Sequence, residues 1–106
     1  MRSEQEDQEM VDAMRISRNA PGILVENERV RVLRAHIPAG DKAPMHSHPD
    51  HVVYVIKGGR AQLTYPSGKV DVMDLETGEA VFMNAQSHEI VNLGDSDLDR
   101  VVFELK

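Results

Sequence analysis

The sequence predicts an all-β domain, a sandwich or barrel of short antiparallel strands. Three observations predict it. From Ile23 onward, short runs of β-branched and aliphatic residues are cut at close intervals by turn residues. No segment after residue 22 sustains a helical period. The alternation Arg29, Val30, Arg31, Val32 has the two-residue period of a half-exposed strand.

The elements follow in order. Residues 1–20 form a polar extension in which Ser3 and Glu6 have capping-box spacing, and Met10, Ala13 and Met14 can share one helix face. A helix so short is marginal without a partner surface, so a helical turn and a frayed acidic tail both remain open. The barrel is expected over residues 21–106, with strands at 23–26, 29–37, a bent stretch at 45–48, then 51–57, 60–65, 69–75, 80–83, 88–93 and 98–105. The breaks between them carry turn chemistry: Pro38-Ala39-Gly40, Gly58-Gly59, Pro66-Ser67-Gly68 and Gly94-Asp95-Ser96. Aromatic residues make up only 4% of the chain, so the core is expected to be aliphatic, with Tyr54, Tyr65, Phe82 and Phe103 joining it.

Composition narrows the function. A length of 106 residues suits a single domain. With 12 Lys and Arg against 18 Asp and Glu, the net charge of -6 repels polyphosphate and anionic lipid, which argues against nucleic acid and membrane partners. No apolar run approaches the roughly 20 residues of a membrane span, and the opening MRSEQEDQEM lacks the apolar stretch of a secretory signal. A soluble cytoplasmic protein is therefore expected. The absence of cysteine excludes disulfides, thiolate metal sites and cysteine nucleophiles, leaving histidine and carboxylates as metal donors.

Four of the five histidines fall in two places: His46, His48 and His51 in the segment His46-Ser47-His48-Pro49-Asp50-His51, and His88 after Asn84-Ala85-Gln86-Ser87. On an extended segment, positions two apart project to one face, so His46 and His48 can approach the same ion. Pro49-Asp50 bends the chain and lets His51 come round on the next strand. His51 can instead face solvent or bond to Asp50, and both readings stay open. A later strand can bring in His88. His36, on the strand before this cluster, fits a half-buried strand residue better than a ligand, and Glu89 faces away from His88 by alternation.

The order of these residues resembles the two sequence motifs of the cupin family. The first runs G-x5-H-x-H-x(3 or 4)-E-x6-G; here Gly40, His46, His48 and Gly58 take their places, and His51 stands where that family has a glutamate, after a gap shortened to two residues. The second runs G-x5-P-x-G-x2-H-x3-N, often with one residue fewer before the histidine; Gly78, His88 and Asn92 follow the shortened form, with Asn84 and Gln86 replacing the usual proline and glycine. The resemblance spans residues 23–105. It implies a double-stranded antiparallel β-helix, or jelly-roll barrel, whose two motifs meet at one mouth. It further implies one divalent transition metal (Fe, Mn, Ni, Cu or Zn) held by His46, His48, His51 and His88.

Imidazole donors alone do not choose among these metals. Replacing the family's carboxylate with His51 leaves the ion its full dipositive charge, which favours a small anionic or enolisable substrate. Alternation puts Val53, Val55, Ile90 and Asn92 on the metal side as pocket lining. The resemblance points first to an iron-type dioxygenase, and leaves open a non-catalytic binding module for a metal or small ligand, or an isomerase. A homodimer is expected, because the strand at 23–26 leaves a sheet edge that must be covered.

Overall fold

The computed structural model describes residues 11–106. Within them nine strands follow the expected order: β1 (Gly22–Glu26), β2 (Val30–Ile37), β3 (Lys42–His48), β4 (His51–Lys57), β5 (Gly59–Thr64), β6 (Val70–Leu75), β7 (Ala80–Met83), β8 (Gln86–Asn92) and β9 (Leu98–Leu105). They form two antiparallel sheets, one ordered β1-β2-β9-β4-β7 and the other β3-β8-β5-β6. This is the all-β jelly-roll architecture. The two inner faces meet in an aliphatic core, to which the five-stranded sheet gives Leu33, Ile37, Val53, Val55, Leu98 and Val102 and the four-stranded sheet Ala61, Leu63 and Ile90.

Strand β3 begins at Lys42, three residues before the expected 45–48 stretch, because it carries a bulge. Ala43 pairs with Ile90 and His46 with His88, so β3 spends one more residue than β8 over the same interval. Pro44, which has no N–H to give the ladder, sits in that irregular stretch. The extra residue changes the parity of the strand. Ala43, His46 and His48 are all buried, whereas uninterrupted alternation from Ala43 would have turned both histidines outward.

Part of the N-terminal extension belongs to the wall of the barrel. Ala13–Arg15 forms one 3-10 turn, capped by the Asp12 side chain, which accepts a hydrogen bond from the Met14 amide at 2.8 Å. The Ser47 amide donates to the Val11 carbonyl at 2.7 Å, and Ala13, only 1% exposed, packs beside Leu33 and Val102. The capping pair Ser3 and Glu6, and Met10, lie outside the described residues.

The aromatic residues depart from expectation. Tyr65 packs against the core, but Tyr54, Phe82 and Phe103 lie on the outer face of the five-stranded sheet, with Phe82 56% exposed. The interior is narrow enough for aliphatic side chains to fill it, and alternation along β4, β7 and β9 turns these rings outward. Glu89 points outward as expected, to Lys42 at 3.2 Å, whereas His36, expected to be half-buried, is exposed and reaches Asp97 at 3.0 Å.

Candidate metal centre

Two strands supply a cluster of three histidines, and a third strand brings His51 beside it. His46 and His88 face each other as a directly paired couple on β3 and β8, and His48 lies two residues along β3 on the same face. The nitrogen donors of these three buried rings all lie within 4.8 Å of one another. Two nitrogens on opposite sides of one ion are about 4.2 Å apart when each bond is about 2.1 Å. The cluster is therefore only slightly wider than the span an ion sets, and it can hold one. His51, at the start of β4, stacks its ring 4.8 Å from that of His48 but stands outside this group of three.

The hydrogen bonds of the rings decide which nitrogen is free. Nδ1 of His46 donates to the Pro44 carbonyl at 2.6 Å, Nδ1 of His51 to the Pro49 carbonyl at 2.7 Å, and Nδ1 of His48 to the Glu104 carboxylate at 2.5 Å. Nδ1 of His88 meets Oε1 of Gln86 at 2.8 Å, and the Gln86 amide nitrogen is already committed to the Asn84 carbonyl. Each acceptor is an oxygen without a proton to offer, so each Nδ1 carries a hydrogen and Nε2 is the nitrogen left to ligate. That is the arrangement metal-binding histidines use, with one nitrogen tethered and the other left to ligate. Burial drives the His46 ring down to about 4 and that of His88 to about 2, with neighbouring positive charge adding to the effect, and it lowers His51 as well. His46, His51 and His88 are thus unprotonated at neutral pH, as metal binding requires.

Glu104, on β9, braces the cluster from behind. Its carboxylate accepts from His48 and also from Nε of Arg31 at 2.7 Å, and Arg31 in turn grips Asp12 with both terminal nitrogens at 3.0 and 3.1 Å. A chain of polar contacts therefore runs from the N-terminal turn to His48. Burial pulls the Glu104 carboxyl up, but the hydrogen bonds from His48 and Arg31 outweigh it and keep it below its ordinary value.

Beside the cluster lies a chamber inside the barrel, about 30 Å³ in volume, walled by His48, His51, His88, Arg100 and apolar side chains including Val53, Leu63, Met73 and Ile90. Of the four expected lining residues, Val53 and Ile90 face this chamber. Val55 and Asn92 also face inward but do not line it. Val55 is locked in the core, and the Asn92 amide donates to the carbonyls of Ile37 at 3.0 Å and Ser96 at 2.9 Å while its oxygen accepts from Gly94, tying two turns together.

Arg100 and Glu104 were not among the residues expected at the site. Alternation along β9 groups them with Leu98 and Val102, but only the structure shows that this set is the buried face.

Fold and histidine cluster together define a small β-barrel in which His46, His48 and His88 could hold a metal ion. The cupin domain model matches residues 33–103, and the chain belongs to the cupin family. Its structure is similar to that of a cupin domain protein from Bordetella pertussis, with a TM-score of 0.75 and 28% identity over 81% of this chain and 91% of that one. It also resembles a conserved protein with a double-stranded β-helix domain from Klebsiella pneumoniae (TM-score 0.65, 23% identity, 99% of this chain and 88% of that one). A cupin family protein from Methanocaldococcus jannaschii aligns with a TM-score of 0.62 and 23% identity over 80% of this chain and 77% of that one. No curated protein matches the sequence. No helix among the described residues is long and apolar enough to cross a membrane.

Proposed function

We propose that this cupin holds one divalent transition metal through His46, His48 and His88, with His51 as a fourth donor, and acts as an iron-type dioxygenase on a small anionic or enolisable molecule in the cytoplasm. The observation that carries the reading is the tethering of all four Nδ1 atoms to proton acceptors, which leaves Nε2 as the metal donor of each ring, with His48, His51 and His88 lining one chamber and His46 beside them. A bound divalent metal supplies electrophilic and redox chemistry there. The chain supplies the setting. Neutral imidazoles leave the ion's charge undiminished, and the apolar walls keep water out, which strengthens every electrostatic contact inside.

A second reading, a non-catalytic binding module, draws on the same chamber. Among the described residues its polar lining consists of imidazoles and Arg100, with no carboxylate, hydroxyl or amine to serve as a separate general acid or base. That lining also weighs against an isomerase, which must move a proton between carbons with a positioned side chain. Elemental analysis of the purified protein, then oxygen uptake by the iron-loaded protein with diketones, catechols and thiols, separates these readings. Metal with uptake on one class supports the dioxygenase. Metal without uptake leaves the binding module, and a protein that retains no metal overturns the dioxygenase and leaves only a module for a small ligand.

We also infer a homodimer formed through the outer face of the five-stranded sheet. Val25, Phe103 and Phe82 are exposed on that face, and Val32, itself buried, and half-buried Val52 pair with them to complete an apolar row across all five strands. Patches of this kind commonly mark interfaces. Light scattering at micromolar concentration should give the dimer mass, and Phe82→Asp should give the monomer; a monomeric parent protein overturns the inference.

A further inference from the structure

Arg100 is the most unusual charge in the molecule. It projects from β9 into the barrel between Leu98 and Val102, is 9% exposed, and its buried Nε has no hydrogen-bond partner among the described residues. The acidic groups nearest in the fold are committed elsewhere. Asp99 points outward and takes two hydrogen bonds from Arg34, at 2.7 and 2.6 Å, while Glu104 is held by His48 and Arg31. The charge of Asp99 reaches Arg100 without bonding to its Nε, and a buried cation so weakly compensated is costly, so it is retained only where something further compensates it.

Its position says what that something is. Arg100 lines the chamber beside His48 and His88, and it also lines a second small cavity beside His46 and His48. The guanidinium thus stands next to the histidine cluster, in an interior whose other walls are apolar. Burial lowers it to about 10, and it remains a cation at neutral pH. A planar guanidinium fork matches a carboxylate in shape and charge, with two parallel hydrogen bonds. The chamber is only about 30 Å³ as it stands, so a hydrocarbon remainder must be short and must displace the flexible Met73 or Met83 side chain of the wall, and the apolar walls disfavour a second charged group.

We propose that Arg100 anchors the carboxylate of a short-chain monocarboxylic acid, which the chamber holds between the guanidinium and the histidine cluster. This rests on the reading of the chamber as a small-anion site and narrows it to one substrate class, but it does not depend on metal loading.

The test compares propionate with its neutral isostere propionamide, and with chloride and phosphate, on metal-free and zinc-loaded protein, by thermal shift and by ligand-observed NMR. Propionate should bind and raise the melting temperature in the parent protein, and propionamide should not. Arg100→Lys keeps the charge but not the fork, and should weaken propionate at least tenfold. Arg100→Met removes the buried charge at similar volume, and should abolish binding without loss of folding stability. Equal affinity for propionate and propionamide, or a preference for chloride or phosphate, overturns the proposal without recourse to any variant. So does propionate binding that survives in Arg100→Met. Zinc binding with no propionate response sinks this inference and spares the metal centre; propionate binding in a protein that takes up no metal does the reverse.

Discussion

Replacing Glu104 with glutamine tests how the metal centre is held. The carboxylate receives the His48 Nδ1 proton at 2.5 Å and the Arg31 Nε proton at 2.7 Å, so its negative charge both fixes the ring and makes Nε2 a stronger donor. Glutamine keeps the shape and one acceptor oxygen. A hydrogen bond to a charged group contributes about 1.5–3 kcal/mol and a neutral one about 1 kcal/mol, so Glu104→Gln should cost roughly 1–2 kcal/mol of stability. Arg31 retains Asp12, which limits the damage on that side. Metal affinity should fall about 10- to 100-fold, the usual effect of removing such a partner. Glu104→Ala should lose more, because the buried Nδ1–H then has no acceptor. Zinc titration against a competing chelator reads the affinity, and urea unfolding reads the stability. Affinity for Glu104→Gln within twofold of the parent protein would refute the argument that Glu104 orients His48.

Three further outcomes are expected. His51→Ala should weaken metal binding while His51→Glu retains it; identical occupancy and release curves for both variants and the parent protein would place His51 outside the metal's shell. Acidification should destabilise the metal-free protein. The His46 ring falls from 6.5 to about 4 on folding, so the unfolded chain takes up its proton first, and stability present above pH 6.5 is lost as pH drops toward 4. That single ring accounts for roughly 3 kcal/mol, and a urea midpoint that does not fall between pH 7 and pH 4 would contradict it. Gly58→Ala should destabilise by about 3 kcal/mol or prevent folding, because a Cβ there would lie 2.0 Å from the backbone oxygen of Leu75. Gly59→Ala, whose nearest contact is a Leu98 methyl at 3.4 Å, should be tolerated; equal melting temperatures for the two variants would show that the backbone yields at Gly58.

The order and type of every strand were legible in the sequence, because alternating aliphatic runs broken by proline and glycine have few other uses. His46, His48 and His88 were legible too, since two positions on one strand and one on another need only a barrel to meet. Alternation also assigned Val53 and Ile90 to the inner face, and the structure brings both to the chamber.

What alternation does not carry is which face of a strand is inside, or how deep along the barrel a residue lies. On β9 the buried set Leu98, Arg100, Val102, Glu104 and the outward set Asp99, Val101, Phe103, Leu105 are both mixtures of aliphatic and charged residues. Local pattern has no preference between them. The pairing of β9 with β2 and β4 decides it, placing Glu104 opposite both Arg31 and His51 and Arg100 opposite Ala35 and Val55. The same limit explains Val55 and Asn92, which have the right parity but the wrong depth, and Phe82 and Phe103, which have the right hydrophobicity for a core but the outward parity. The bulge between Ala43 and His46 is a further decision of the tertiary structure. One extra residue beside Pro44 turns His46 and His48 toward His88, and only the register against β8 reveals it.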